Sequence, residues 1–170
     1  MTEESRLIIK IAAHLFQYPN EALLSSLRLL APVIAKLSPG ASRDALADFC
    51  QIFSSQKLIH WQEEYSRRFD LNPATCLHLT YHKYGDCKDR GTALAQLQQL
   101  YRRAGYEKTT SELPDFLPLI LEFLSICPSE DGAWLQAEYW PQIEGLAKRL
   151  QEAGSVYAGL LAVVADTLKA

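Results

Sequence analysis

Two groups of residues have the types and spacing to do chemistry. His78 and His82 stand four apart, with Cys76 and Cys87 close by. A histidine pair at that spacing can hold one metal ion on one face of a helix. The residues between them are Leu79, Thr80 and Tyr81, so the glutamate base of the HExxH pattern is absent. Histidines scattered along a helix usually serve structure, and no metal site is expected. Serine, histidine and acids are all present, yet there is no GxSxG elbow, and "GDCKDRG" lacks the GK[ST] of a phosphate loop. Binding is therefore expected, rather than catalysis.

The second group lies in "HKYGDCKDRG" and "ELPDFLP". Asp86 suits a helix N-cap, with Asp89 three residues on in a variant capping box, and both acids suit the positive end of the helix dipole. Gly91 costs up to about 1 kcal/mol in a first turn relative to alanine. It is expected to admit a neighbouring helix or a ligand. Asp115 as N-cap would put Pro118 at the third helical position, where a missing N–H costs little. Glu112 has no such capping role. A rigid loop carrying Glu112 and Asp115 beside Phe116 would suit a basic, apolar peptide.

The elements that position these residues read as helices. Apolar residues recur at helical spacing from Ile8 to Phe16, from Leu23 to Leu37, from Leu46 to Phe53 and from Leu58 to Phe69. Pro19, "SPG" at 38–40 and "DLNP" at 70–73 end three of these stripes, and Pro32 predicts a kink or short break. A short helix is expected over 75–83 and another from Asp86 to Gly105. A further helix should run to about residue 126, stopped by Pro128. A long one follows over 130–152, with Trp134, Ile143, Leu146 and Leu150 buried and Pro141 as a bend. A last helix carries Val156, Leu160, Leu161, Val164 and Leu168. The period predicts an all-α, single-domain bundle of about eight or nine helices over residues 1–170.

Composition narrows the class. At 170 residues and 19.1 kDa the chain should fold as one domain with a real core. A folded chain of this mass exposes about 8,400 Å². The net charge of −3 carries no basic excess, which argues against nucleic acid. The start, "MTEESRLIIKIAAHLF", has a short apolar run broken by Lys10 and His14. It reads as neither a secretory signal nor a membrane span, so a cytoplasmic location is expected. Cys50, Cys76, Cys87 and Cys127 are widely spaced and expected to stay reduced.

"GDCKDRGTALAQLQQLY" followed by "SELPDFLPLILEFL" resembles the signature of the nitrate reductase molybdenum cofactor assembly chaperones. This family is also called the respiratory nitrate reductase delta subunit, within the wider group of dedicated molybdoenzyme chaperones. "EEYSRRFD" is similar to that group's Tyr-x-x-x-Phe-Asp motif, and "LFQYP" at 15–19 fits the opening helix. The chain departs from the pattern in three places. Tyr81 stands where an acid usually precedes the histidine, Tyr84 where a second histidine is common, and Cys87 where serine is usual.

The resemblance implies an all-α, non-enzymatic chaperone with no stably bound cofactor. Its partner would be the immature catalytic (alpha) subunit of respiratory nitrate reductase, held chiefly by its N-terminal segment while the molybdenum cofactor is inserted. No stable membrane insertion is implied. On this reading Tyr65, Phe69, Phe116 and Leu117 offer apolar contacts, with core packing the alternative for Phe69 and Leu117. Asp70, Asp86, Glu112 and Asp115 meet basic client residues. Arg90 pairs with an acid inside the bundle, and His82 completes the client-facing set. Alternatives are a chaperone for another molybdoenzyme that reads a twin-arginine signal peptide, a small helical metal enzyme using His78 and His82, and a structural helical subunit that stays in a complex.

Overall fold

A computed structural model describes residues 1–107, 109–127 and 130–169. Among these lie α1 (Glu3–Leu15), α2 (Glu21–Ile34), α3 (Ala41–Ser54) and α4 (Leu58–Tyr65). A π-helical turn, Ser66–Asp70, continues α4. Then follow α5 (Leu79–Tyr84), α6 (Lys88–Arg103), α7 (Leu117–Ile126), α8 (Glu130–Glu152) and α9 (Tyr157–Lys169). The accessible surface is 9165 Å².

Helix starts follow local chemistry. The Thr2 hydroxyl accepts the Ser5 N–H at 3.0 Å, and the Asn20 side chain accepts that of Leu23 at 2.8 Å. Glu3, Glu4 and Glu21 fill the first turns, where the helix dipole favours acids. Gly85 closes α5 at φ 60°, a left-handed turn that glycine adopts without a Cβ penalty.

Helix α7 is the centre of the bundle. From Leu117 to Ser125 only Glu122 reaches solvent, as befits a helix apolar on all sides. The buried stripe of α1 packs along α7, and α9 packs on α8, α3 and α1. Between α3, α9 and the π turn the core is aromatic. The Tyr157 ring lies 5.8 Å from Phe16, 5.3 Å from Phe49 and 4.9 Å from Phe69, in the offset and edge-on arrangements such rings prefer.

The all-α expectation holds, and several local expectations change. The short helix begins at Leu79 instead of residue 75, because the backbone around His78 pairs with Phe116 in an antiparallel bridge. Cys87, not Asp86, is the N-cap of α6. Phe116, not Asp115, is the N-cap of α7, which puts Pro118 in its second position. Trp134 is 45% exposed, since the apolar face of α8 turns Leu135 and Tyr139 inward instead. A Cβ at Gly91 would meet nothing within 4 Å, so no backbone approaches there. The close approach is at Gly132, where a Cβ would lie 2.2 Å from the Cys127 carbonyl oxygen. Helix α2 runs through Pro32 and ends two residues later, and α8 runs through Pro141. The stop expected at Pro128 falls outside the described residues. Among the described residues no helix is long and apolar enough to cross a membrane.

Candidate functional site

Residues 74–90 and 112–117 are knotted together by buried polar groups. Two backbone bonds join them: Leu79 donates to the Asp115 carbonyl at 3.1 Å, and Leu117 to the Leu77 carbonyl at 2.7 Å. Asp115 sits at the centre, fully buried. Its carboxylate lies 3.1 Å from His78 Nδ1, accepts the Thr80 N–H at 3.2 Å and accepts the Thr80 hydroxyl. The Arg90 guanidinium stands 3.9 Å from Asp115 and 3.6 Å from Asp86, and its Nε donates to Thr80 Oγ1 at 3.3 Å. Burial pulls the Asp115 carboxyl upward. The His78 and Thr80 hydrogen bonds, with the charges of His78 and Arg90, outweigh it and hold the group below its ordinary value.

A second knot adjoins the first. His82 Nε2 donates to the Cys76 carbonyl at 2.7 Å, and its Nδ1 accepts from Arg149 at 3.1 Å. Arg149 reaches from α8 and also donates to the Ala74 carbonyl at 2.6 Å. Burial lowers the His82 pKa, so the ring is neutral and fixed by its two neighbours. His78 and His82 therefore point to different partners, and the histidine–carboxylate contact runs through His78. Among the described residues no group of three or more histidines, cysteines or acids is arranged to hold a metal ion.

The surface over the π turn is different in kind. Tyr65 is buried, and its hydroxyl donates to the Phe16 carbonyl at 3.0 Å. Its ring meets Phe69 edge-on at 4.9 Å and Tyr18 at 5.3 Å. Burial first, then Tyr157 and the charges of Asp70 and Glu112, push the Tyr65 phenol far up. Asp70 and Glu112, from distant parts of the chain, thus both act on the Tyr65 phenol. Each has an exposed leucine beside it: Leu71 is 79% exposed and Leu113 42%. Tyr18, 45% exposed, meets the Tyr65 ring edge-on; these exposed residues are named the rim, and the buried Tyr65 and Phe69 its aromatic floor.

The expected site residues separate between these two regions. Asp70 and Glu112 are exposed on the rim, while Tyr65 and Phe69 form its buried floor. Leu117 is wholly inside α7, and Phe116 is half-buried against the His78 ring at 5.7 Å. Asp115, expected to meet a client, is instead buried, because its backbone belongs to the bridge and its side chain to the knot. Asp86 is exposed and pairs with Arg90, while Arg90 and His82 are half-buried in the knots. Sequence reasoning missed Tyr18, Leu71 and Leu113. Their signal was an apolar residue at a helix break, next to a residue already singled out.

The family described as "Nitrate reductase delta subunit" matches residues 35–162. A probable nitrate reductase molybdenum cofactor assembly chaperone NarJ of Bacillus subtilis is 29% identical over 99% of this chain and 91% of its own length. The NarJ of Escherichia coli K12 is 34% identical over 88% of this chain and 64% of its own. The chain thus spans under two thirds of that second relative. Among solved structures, a proposed redox enzyme maturation protein from Archaeoglobus fulgidus superposes with a TM-score of 0.70. It is 22% identical and covered over 94% of its length by 97% of this chain, which shows a shared fold. With three quarters of its length matched, the chain belongs to the nitrate reductase delta subunit family.

Proposed function

We propose that this chain is a dedicated cytoplasmic chaperone of respiratory nitrate reductase, a binding protein and not a catalyst. It holds the immature catalytic subunit, chiefly by its N-terminal segment, while the molybdenum cofactor is inserted, and leaves before the finished complex reaches the membrane. No cofactor is retained by the chaperone. Residues 1–170 act as one domain, a reading supported by the continuous apolar cluster from α1 to α9.

The observation that carries this reading is the rim. Leu71, Leu113 and Tyr18 expose apolar surface beside the carboxylates of Asp70 and Glu112. A client segment folding into an amphipathic helix could set its apolar face there, with basic residues toward the acids. Ordering such a segment costs about 2–5 kcal/mol, which tempers affinity and aids release. Micromolar to nanomolar binding needs about −8 to −12 kcal/mol, within reach of a few apolar anchors and charge pairs.

The test is co-purification with the catalytic subunit of nitrate reductase from strains with and without cofactor synthesis. Stronger retention without cofactor is expected, and equal or absent retention overturns the reading. In calorimetry, Asp70→Ala with Glu112→Ala should weaken the N-terminal peptide about tenfold while helix content stays unchanged.

A further inference from the structure

Helices α2 and α3 enclose an open trough of about 540 Å³, lined by residues distinct from those of the rim. The volume lies within the about 300–1,000 Å³ of ligand sites. Its walls are apolar: Leu27, Ala31 and Ile34 on α2, Ala47 and Cys50 on α3. Burial raises the Cys50 thiol to about 11, so it serves as a small apolar group and not as a nucleophile. Charge enters through Arg28 from α2 and Arg43 from α3, and no acid lines the trough. Asp44 pairs with Arg43 at 2.9 Å, and among the described residues Arg28 has no ion-pair partner.

We infer that this trough is a docking site for an amphipathic helix that carries carboxylates beside its apolar face, presented by the client protein. The assignment of the client rests on the function proposed above. Charge complementarity selects the occupant. An apolar face alone would fill the trough, but Arg28 would then lose water without gaining a partner, a cost that a carboxylate removes. The trough lies between two helices and is only partly enclosed, which suits side chains projecting from a helix better than an engulfed small molecule. The rim and the trough thus have opposite charge preferences: basic segments at Asp70 and Glu112, acidic ones at Arg28, with Arg43, already paired with Asp44, beside it.

The probes are two acetylated, amidated peptides of about 18 residues, long enough to be marginally helical. Both have a leucine–alanine face, flanked by glutamates in one and by lysines in the other. Fluorescence anisotropy with the full chain should show the glutamate peptide binding about tenfold or more tightly than its lysine twin. Arg28→Glu with Arg43→Glu should reverse the order. Ala47→Trp should fill the trough and weaken both, and circular dichroism checks that each variant keeps its helix content. If Ala47→Trp loses helix content, the charge reversal alone carries the test. Equal affinity for the two peptides, or an order unchanged by the reversal, overturns the inference. Loss of the glutamate peptide in the Asp70→Ala, Glu112→Ala variant also overturns it, by assigning that peptide to the rim. So does a dimer in analytical ultracentrifugation that Arg28→Glu with Arg43→Glu dissolves, because the occupant is then a second copy. With the catalytic subunit itself, loss of retention by the trough variants supports a client occupant. Retention by these variants equal to that of the unaltered chain overturns the client occupant alone. If the unaltered chain retains no client, the proposed function fails instead, and with it the client occupant.

Discussion

The knot around Asp115 and the rim over the π turn both draw on "ELPDFLP", yet they use their acids in opposite ways. Asp115 is sealed, with His78, Thr80 and Arg90 around it. Glu112, three residues earlier, is exposed with Leu113. A buried carboxylate must be compensated by its own fold, whereas an exposed one can exchange water for a partner's charge. One short stretch therefore does both: its second acid locks the loop, and its first faces outward.

Removing Asp115 should have the largest effect. Asp115→Ala leaves the Thr80 N–H and hydroxyl and His78 short of a partner and Arg90 with Asp86 alone, and breaking such a buried network from one side costs about 3–5 kcal/mol. Urea unfolding would measure it. A loss similar to that of a surface acid would erase the distinction between knot and rim. Gly132→Ala comes next, at about 1–3 kcal/mol, the cost of overpacking, because its methyl would press on the Cys127 carbonyl. Thermal melting would report a lower Tm.

Acid should act on the knots and spare the rim. Folding lowers the pKa of His82 below 6.5, so the unfolded chain takes up that proton first. Its contribution is whole above pH 6.5 and is lost as pH falls through the folded pKa. Asp115 follows the same direction from 3.8 downward. A Tm series against pH should decline in these two windows, and His82→Gln should reduce the upper decline, the rest of which belongs to His14, whose pKa burial also lowers. The smallest stability effect belongs to the rim. Asp70→Ala, at an exposed acid, should change unfolding free energy by no more than about 0.5 kcal/mol, with its consequence appearing in client binding.

Much of this was legible in the sequence, for identifiable reasons. The stripes of α1, α3, α7 and α9 were readable because burial imposes the helical period on apolar residues, as in Ile8–Leu15 and Leu160–Leu168. Capping chemistry misled at Asp86 and Asp115, since each acid found a partner far along the chain or one turn on that serves it better than a free N–H. His78 was misplaced on a helix because its backbone pairs with Phe116, thirty-eight positions away, and local pattern carries no trace of such a bridge. Of the site, Glu112 was readable as an acid that capping does not explain, and Asp70 from the Tyr-x-x-x-Phe-Asp resemblance. Their common effect on Tyr65 was not, because it depends on how the π turn and the loop before α7 converge.

The π turn at Ser66–Asp70 behaves as a one-residue insertion held within a helix. The Leu71 N–H reaches back five residues to the Ser66 carbonyl at 2.9 Å, where an α-helix would reach back four. That extra residue sets the rotational phase of everything after it. Phe69 can point into the aromatic core while Asp70 and Leu71 turn outward. Deleting one residue from 66–70 would restore α-helical winding and swing the following side chains by about 100°. The composition would hardly change, but the acid and the leucine would leave the rim together, and the stability of the fold and the shape of that surface would become separable.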